Sequence, residues 1–175
     1  MDGIATNEIM DFLRQLGKRY RGAGTLFLLG GSALCMLGNP RRTLDIDYMT
    51  ESPSDEAAEL QAVIESLAAE LKLELEAVSF GEFIPLPRDA DTRHRWVGQF
   101  GRLKVYVYDP YSIALSKVAR GFEADLQDVL FLLRQDLITL EQLEAHVADA
   151  LPHAAQFDMV PDELIQHLEE IRRLM

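Results

Sequence analysis

A chain of 175 residues is the length of one ordinary domain and is long enough to bury a real core. With 48% hydrophobic and 26% charged residues it reads as a folded globular chain rather than a disordered or fibrous one, and no apolar run approaches the roughly 20 residues that span a bilayer. The net charge of −12 and pI near 4.7 weigh against tight non-specific binding to nucleic acid, which depends on Lys and Arg neutralising phosphates.

The start, MDGIATNEIMDFLRQ, is acidic and amphipathic and has none of the features of a secretory signal. Over 7–20, Ile9, Phe12, Leu13 and Leu16 fall at i, i+3, i+4 and i+7, which predicts a helix with one apolar stripe, ended by Gly22 and Gly24. TLFLLGG reads as a short buried strand running into a glycine turn. SALCMLG then reads as a short helix closed by Gly38, with Pro40 beyond it. The one cysteine, Cys35, lies in this apolar segment. It reads as a small buried hydrophobe, cannot form an internal disulfide, and places the protein in the cytoplasm.

LDIDYM at 44–49 alternates, with Leu44, Ile46 and Tyr48 on one side of a strand and Asp45, Asp47 and Met49 on the other. SPSDEAAELQAVIESLAAELK is the clearest helix, capped by Ser54, with a stripe of Leu60, Val63, Ile64, Leu67 and Leu71. LELEAVSF and GEFIPL read as two strands about Gly81. A Pro- and charge-rich loop follows at 85–93, then a hairpin of RWVGQF and RLKVYVYD about Gly101. Helices are expected at 111–120 and 123–134, broken near Gly121. A third is capped by Thr139 with Gln142, and a last one starts at Pro161. The order predicts an α/β (α+β) architecture, a mixed sheet packed by helices with a helical C-terminal part. The expected division is a core at 1–110 and a helical part at 111–175, packed as a single compact unit.

The stretch that carries chemistry is Gly30-Gly31-Ser32, twelve residues, then Asp45-Ile46-Asp47. Residues i and i+2 of a strand share a face, so the two aspartates can aim two carboxylates at one point. Two adjacent anions repel unless a cation joins them, and Mg²⁺ prefers such oxygen ligands together with substrate phosphates. The glycine pair permits close backbone approach, and the helix start at Ser32 offers N–H groups and a hydroxyl to a triphosphate. Together these fit metal-assisted phosphoryl transfer. Arg88, Arg93, Arg95, Arg102 and Lys104 against Asp89 and Asp91 make a locally basic stretch, read either as a solvated loop and strand face or as a substrate-facing edge. Trp96, Tyr106 and Tyr108 fit packing in the core or sheet better than stacking on a base. The four histidines show no zinc spacing, and neither a G-x-S-x-G nor a P-loop is present.

The stretch LFLLGGSALCMLGNPRRTLDIDYMT resembles the signature of the polymerase-beta-type nucleotidyltransferase superfamily, in which GGS or GGT precedes D-x-D. Its Arg41 and R-x-T-x-D-I-D form, with DPYSIALSKVARGFEADLQDVLFLL downstream, is similar to a bacterial branch of minimal nucleotidyltransferases. Many of these are domains of unknown function, related to toxins of abortive-infection type toxin–antitoxin systems. The resemblance covers roughly 26–50 and 103–134. It implies that Asp45 and Asp47 hold Mg²⁺, that Gly30, Gly31, Ser32 and Arg42 bind the nucleotide, and that Lys117 and Asp125 lie near the site. In that reading Lys117 contacts phosphate, while Asp128 pairs locally with Arg120 or Arg134 or shares the site. The superfamily's third carboxylate is missing from RLKVYVYDP, where Asp109, just past its end, is the available substitute.

The implied activity is transfer of NMP from an NTP to a tRNA, a protein or a small molecule, with toxin action as an extension. The alternative is a catalytically degenerate nucleotide-binding or partner-binding module. The expected partners are the NTP and a cognate antitoxin or other protein. An RNA acceptor stays open although charge does not favour it, and no membrane partner is expected.

Overall fold

The computed structural model describes residues 2–175 and divides the chain into two compact units. One comprises the chain up to Val78 together with Arg95–Tyr108. The other comprises Ser79–His94 and Asp109–Met175.

The first unit is a five-stranded mixed sheet with three helices. In chain order these are α1 (Thr6–Arg19), β1 (Gly24–Leu28), α2 (Gly30–Met36), β2 (Ile46–Glu51), α3 (Ala57–Leu71), β3 (Leu75–Ala77), β4 (Arg95–Phe100) and β5 (Leu103–Val107). The strands run in the order β3-β2-β1-β5-β4. β1 pairs antiparallel with β2 and parallel with β5, and β3 runs parallel to β2. The hairpin about Gly101 forms as β4 and β5.

Alternation sorts the strands into two faces. Leu26, Leu28, Ile46, Tyr48, Leu103 and Val105 point into a core that α1 closes with Ile9, Phe12, Leu13 and Leu16, and α3 with Leu60, Ile64 and Leu67. Each such side chain taken from water contributes about 1.5–3 kcal/mol. The predicted stripes of both helices are thus the buried faces. Register puts Asp47, Met49, Phe27, Lys104, Tyr106 and Trp96 on the other face.

Three local expectations need correction, two of them in this unit. Leu44 is 77% exposed, and the strand begins only at Ile46. The Thr43 hydroxyl donates to the Asp45 carbonyl at 3.0 Å, which makes residues 43–45 a turn rather than an alternating run. Glu56, not Ser54, is the N-terminal cap residue of α3, where the Pro53 carbonyl accepts from the N–H groups of Glu56 and Ala57. GEFIPL is not a strand. Residues Phe80–Glu82, in the second unit, form a 3₁₀ turn. Phe80 and Ile84 are buried while Phe83 is exposed, a four-residue spacing that suits a helical turn and not a strand.

The second unit carries α4 (Pro110–Arg120), α5 (Glu123–Arg134), α6 (Leu140–Ala150) and α7 (Pro161–Leu174), with 3₁₀ turns at Ala90–Thr92 and Leu151–Phe157. The break between α4 and α5 falls at Gly121, in the left-handed region at φ 71°. The Thr139 hydroxyl accepts from the Gln142 N–H at 3.3 Å and caps α6, while Pro161 opens α7. Val118, Val129, Leu132, Leu143, Val147, Leu164 and Ile171 are among its buried side chains.

Candidate metal and nucleotide site

β1 ends at Leu28, and the chain turns directly into α2 at Gly30. That turn needs glycine twice over. Gly30 has φ +52°, and a Cβ there would overlap a carboxylate oxygen of Asp47. At Gly31 a Cβ would overlap the Thr43 hydroxyl. The glycine pair therefore lets the start of α2 lie directly against the carboxylate strand.

Ser32 fastens the same junction. It is fully buried, and its hydroxyl donates to the Leu29 carbonyl at 2.8 Å and, less closely, to the Asp47 carbonyl at 3.2 Å. The Leu29 N–H also donates to the Asp47 carbonyl at 2.9 Å. Ser32 thus positions the Asp47 backbone, with its hydroxyl committed to the protein's own carbonyls.

Asp45 and Asp47 are half-buried and converge as the D-x-D spacing suggests. The third member of the cluster is Glu76, exposed on β3. One carboxylate oxygen from each of Asp45, Asp47 and Glu76 lies within 4.8 Å of the other two. Parallel pairing of β2 with β3 sets this up, because Asp47 and Glu76 are direct register partners. Three like charges at this range repel, and a hard divalent cation with oxygen ligands relieves the repulsion. The donor set fits Mg²⁺: all oxygen, all anionic, with one member open to solvent. Glu76 was missed in the sequence. The signal was present in LELEAV, where Glu74 and Glu76 alternate with apolar residues.

Other named residues fall elsewhere. Arg42 is half-exposed and pairs with Glu8 at 2.7 Å, while its Nε donates to the Gly3 carbonyl. Glu8 also accepts from the Ala5 N–H at 2.8 Å, so Arg42 is tied to the start of α1. The guanidinium beside the glycine turn belongs to its neighbour: Nη2 of Arg41 is 3.5 Å from the Cβ position of Gly31. Cys35 is buried, as expected, and its thiol donates to the Arg41 carbonyl at 3.3 Å.

Asp109 is not a third carboxylate. It is wholly buried and is the N-terminal cap residue of α4, accepting from the Tyr111 and Ser112 N–H groups and from the Ser112 hydroxyl. Arg93 grips both of its oxygens at 2.8 and 2.9 Å. That bidentate grip raises the Arg93 pKa above its ordinary value. The Asp-Pro-x-Ser sequence was itself the helix-start signal.

Lys117 is 3% exposed and sits in a buried charge cluster of the second unit. Its Nζ lies 2.7 Å from Asp128 and 3.4 Å from Asp125, and Arg120 also pairs with Asp125. One oxygen of Asp125, Oδ2, is buried without a hydrogen-bond partner. Asp128 thus pairs with Lys117, a partner different from either expected arginine. Among the described residues no helix is long and apolar enough to cross a membrane.

No curated protein matches the chain. One solved structure, an antigenic nucleotidyltransferase-like protein from Paracoccidioides brasiliensis, is similar at 16% identity and a TM-score of 0.49, covering 95% of this chain and 94% of that one. The family model described as "Nucleotidyltransferase of unknown function (DUF6036)" matches residues 5–171. With nearly its whole length matched, and with the glycine turn set against the carboxylate strand, this chain belongs to that family of nucleotidyltransferases.

Proposed function

We propose that the protein is a Mg²⁺-dependent nucleotidyltransferase that moves a nucleoside monophosphate from an NTP to an acceptor hydroxyl, releasing pyrophosphate. The observation that carries this reading is the convergence of Asp45, Asp47 and Glu76 beside the Gly30–Gly31 turn. These three carboxylates would hold the cation, which when bound polarises the phosphate and neutralises its charge.

The acceptor oxygen forms a bond to the α-phosphorus while the bond from that phosphorus to the bridging oxygen of the β-phosphate breaks. Glu76, the most exposed of the three carboxylates, takes the acceptor's proton. The first-turn N–H groups of α2, which by geometry lack helical acceptors, and the Arg41 guanidinium beside Gly31 offer donors to the triphosphate. Ser32 and Arg42 contribute by holding Asp47 and the segment before it in place. In this reading Lys117 and Asp125, which the resemblance singles out, are further candidates for a role in transfer.

The test is pyrophosphate release from each NTP with Mg²⁺ and a mixture of RNA, protein and small-molecule acceptors. Turnover lost in Asp45→Asn/Asp47→Asn is the expected result, and full turnover in that variant would sink the proposal. The resemblance of residues 26–50 and 103–134 to toxin-type relatives extends the reading to a cytoplasmic toxin held by an antitoxin. Growth arrest on expression of the wild type, absent for the double variant, checks that extension.

A further inference from the structure

Trp96 is the chain's single tryptophan, and it is 55% exposed on a β-strand, where large aromatics usually pack. It stands edge-to-face against Tyr106, with ring centroids 5.2 Å apart. Tyr106 in turn stacks on Phe27 at 6.0 Å, and Phe27 meets Tyr108 at 5.5 Å. Register makes this a row running across β4, β5 and β1, since Trp96 opposes Tyr106 and Tyr106 opposes Phe27. Phe27 opposes Met49 on β2, two residues from Asp47, so the row lies on the sheet face that carries the Asp47 carboxylate.

A β-bulge between Trp96 and Gly98 shapes the outer end of the row. In a regular strand Trp96 and Gln99, three residues apart, would face opposite sides. The extra residue at the bulge brings both to the face of Tyr106 and Lys104, because Gln99 pairs directly with Lys104. The result is an exposed aromatic edge beside an exposed cation and an exposed amide.

We propose that Trp96 and Tyr106, with Lys104 beside them, form a stacking platform for a nucleobase of the acceptor, so that the acceptor is the end of a short single-stranded oligonucleotide. The inference rests on the transfer reading above, because it takes the carboxylates as the reacting end. An exposed tryptophan beside a half-buried tyrosine at a sheet edge can hold an unpaired base, since every base has a π-face, while Phe27 and Tyr108 of the row are buried. Lys104 supplies the charge complementary to the adjoining phosphate.

Three strand spacings separate β2 from β4, and Asp47 lies two residues along from the aromatic row. Trp96 and Asp47 are therefore roughly 16 Å apart at their backbones. That exceeds one nucleotide and falls within a site of about four, the short end for single strands. The chain's charge of −12 disfavours long contacts with the phosphate backbone, which limits the site to a few nucleotides.

The test uses emission of Trp96 in the full-length Asp45→Asn/Asp47→Asn variant without Mg²⁺, so that binding is read apart from transfer. A ribotetranucleotide is titrated beside an abasic ribose-phosphate tetramer and beside ATP. The expected result is saturable quenching by the tetranucleotide and none by the abasic chain. The salt dependence should be shallow, with a log–log slope of about −0.7 to −1.4 for one or two phosphates.

Labelled-oligonucleotide anisotropy should then show roughly ten- to hundred-fold weaker binding for Trp96→Ala, largely restored in Trp96→Phe. No quenching by the tetranucleotide, or equal binding of the abasic chain, overturns the inference. So does quenching in the wild type by Mg²⁺–ATP alone that the double variant loses, because the base on the shelf would then be that of the donor. Quenching as expected, with no NTP turnover toward any acceptor, upholds the base platform and defeats the transfer reading. Turnover onto oligonucleotides unchanged by Trp96→Ala does the reverse.

Discussion

Glu76 illustrates how one side chain acquires a role from its neighbours. Exposed on a short strand, it would pass for a solvated surface residue, but its oxygen lies with those of Asp45 and Asp47. If it takes the acceptor's proton, Glu76→Gln should lower pyrophosphate release by about 10²- to 10⁴-fold while leaving the melting temperature nearly unchanged. Lys117 is the opposite case, a lysine that the resemblance assigns to phosphate and that the fold buries almost wholly between two aspartates. Lys117→Met removes the ion pair to Asp128 and the longer one to Asp125, which keeps Arg120, and should cost about 3–5 kcal/mol in urea denaturation. Adding Asp128→Leu should recover part of that loss. If the single variant were as stable as the wild type, the buried pairing would be wrong.

At the scale of elements, the second unit depends on how the 79–94 segment meets the helices. Arg93 binds Asp109 at the start of α4, His94 Nδ1 accepts from the Asp109 N–H, and Tyr111 meets His146 edge-to-face at 5.0 Å. His146, on α6, has its pKa pushed down, first by burial and then by the charge of Arg93, with Asp109 and Asp149 partly opposing. The unfolded chain therefore takes up this proton at a higher pH than the folded one. The contribution of His146 is fully present above its ordinary pKa of about 6.5 and is lost as pH falls from there through the lowered folded value. Thermal melts from pH 7.5 to 5.5 should show a steeper fall for the wild type than for His146→Gln. Parallel curves would mean that His146 titrates normally.

For the whole molecule, a cation that binds only the folded carboxylate cluster must stabilise the fold. At a hundred-fold excess over its dissociation constant the gain is about 2.7 kcal/mol, or about 5–10 °C in melting temperature for a chain of this size. Mg²⁺ should raise the melting temperature of the wild type and leave that of Asp45→Asn/Asp47→Asn unmoved. An equal rise in both would place the ion elsewhere.

The sequence by itself determined what is local. Periodic stripes gave α1 and α3, alternation and a glycine gave the β4–β5 hairpin, and Pro161 and Thr139 marked helix starts. The glycine pair and the two aspartates were legible because turn geometry and side-chain direction act within a few residues. Only the tertiary structure decided what depends on pairing between distant segments. Asp47 and Glu76 are 29 positions apart, and their meeting is set by strand register. The cation at the glycine turn is Arg41 rather than Arg42 because Glu8 of α1 captures the latter. Asp109 went from candidate ligand to helix cap because Arg93 folds back onto it. Trp96 was read as packed because it is large and aromatic. A bulge and an edge position left it exposed, and neither is encoded in residue type alone.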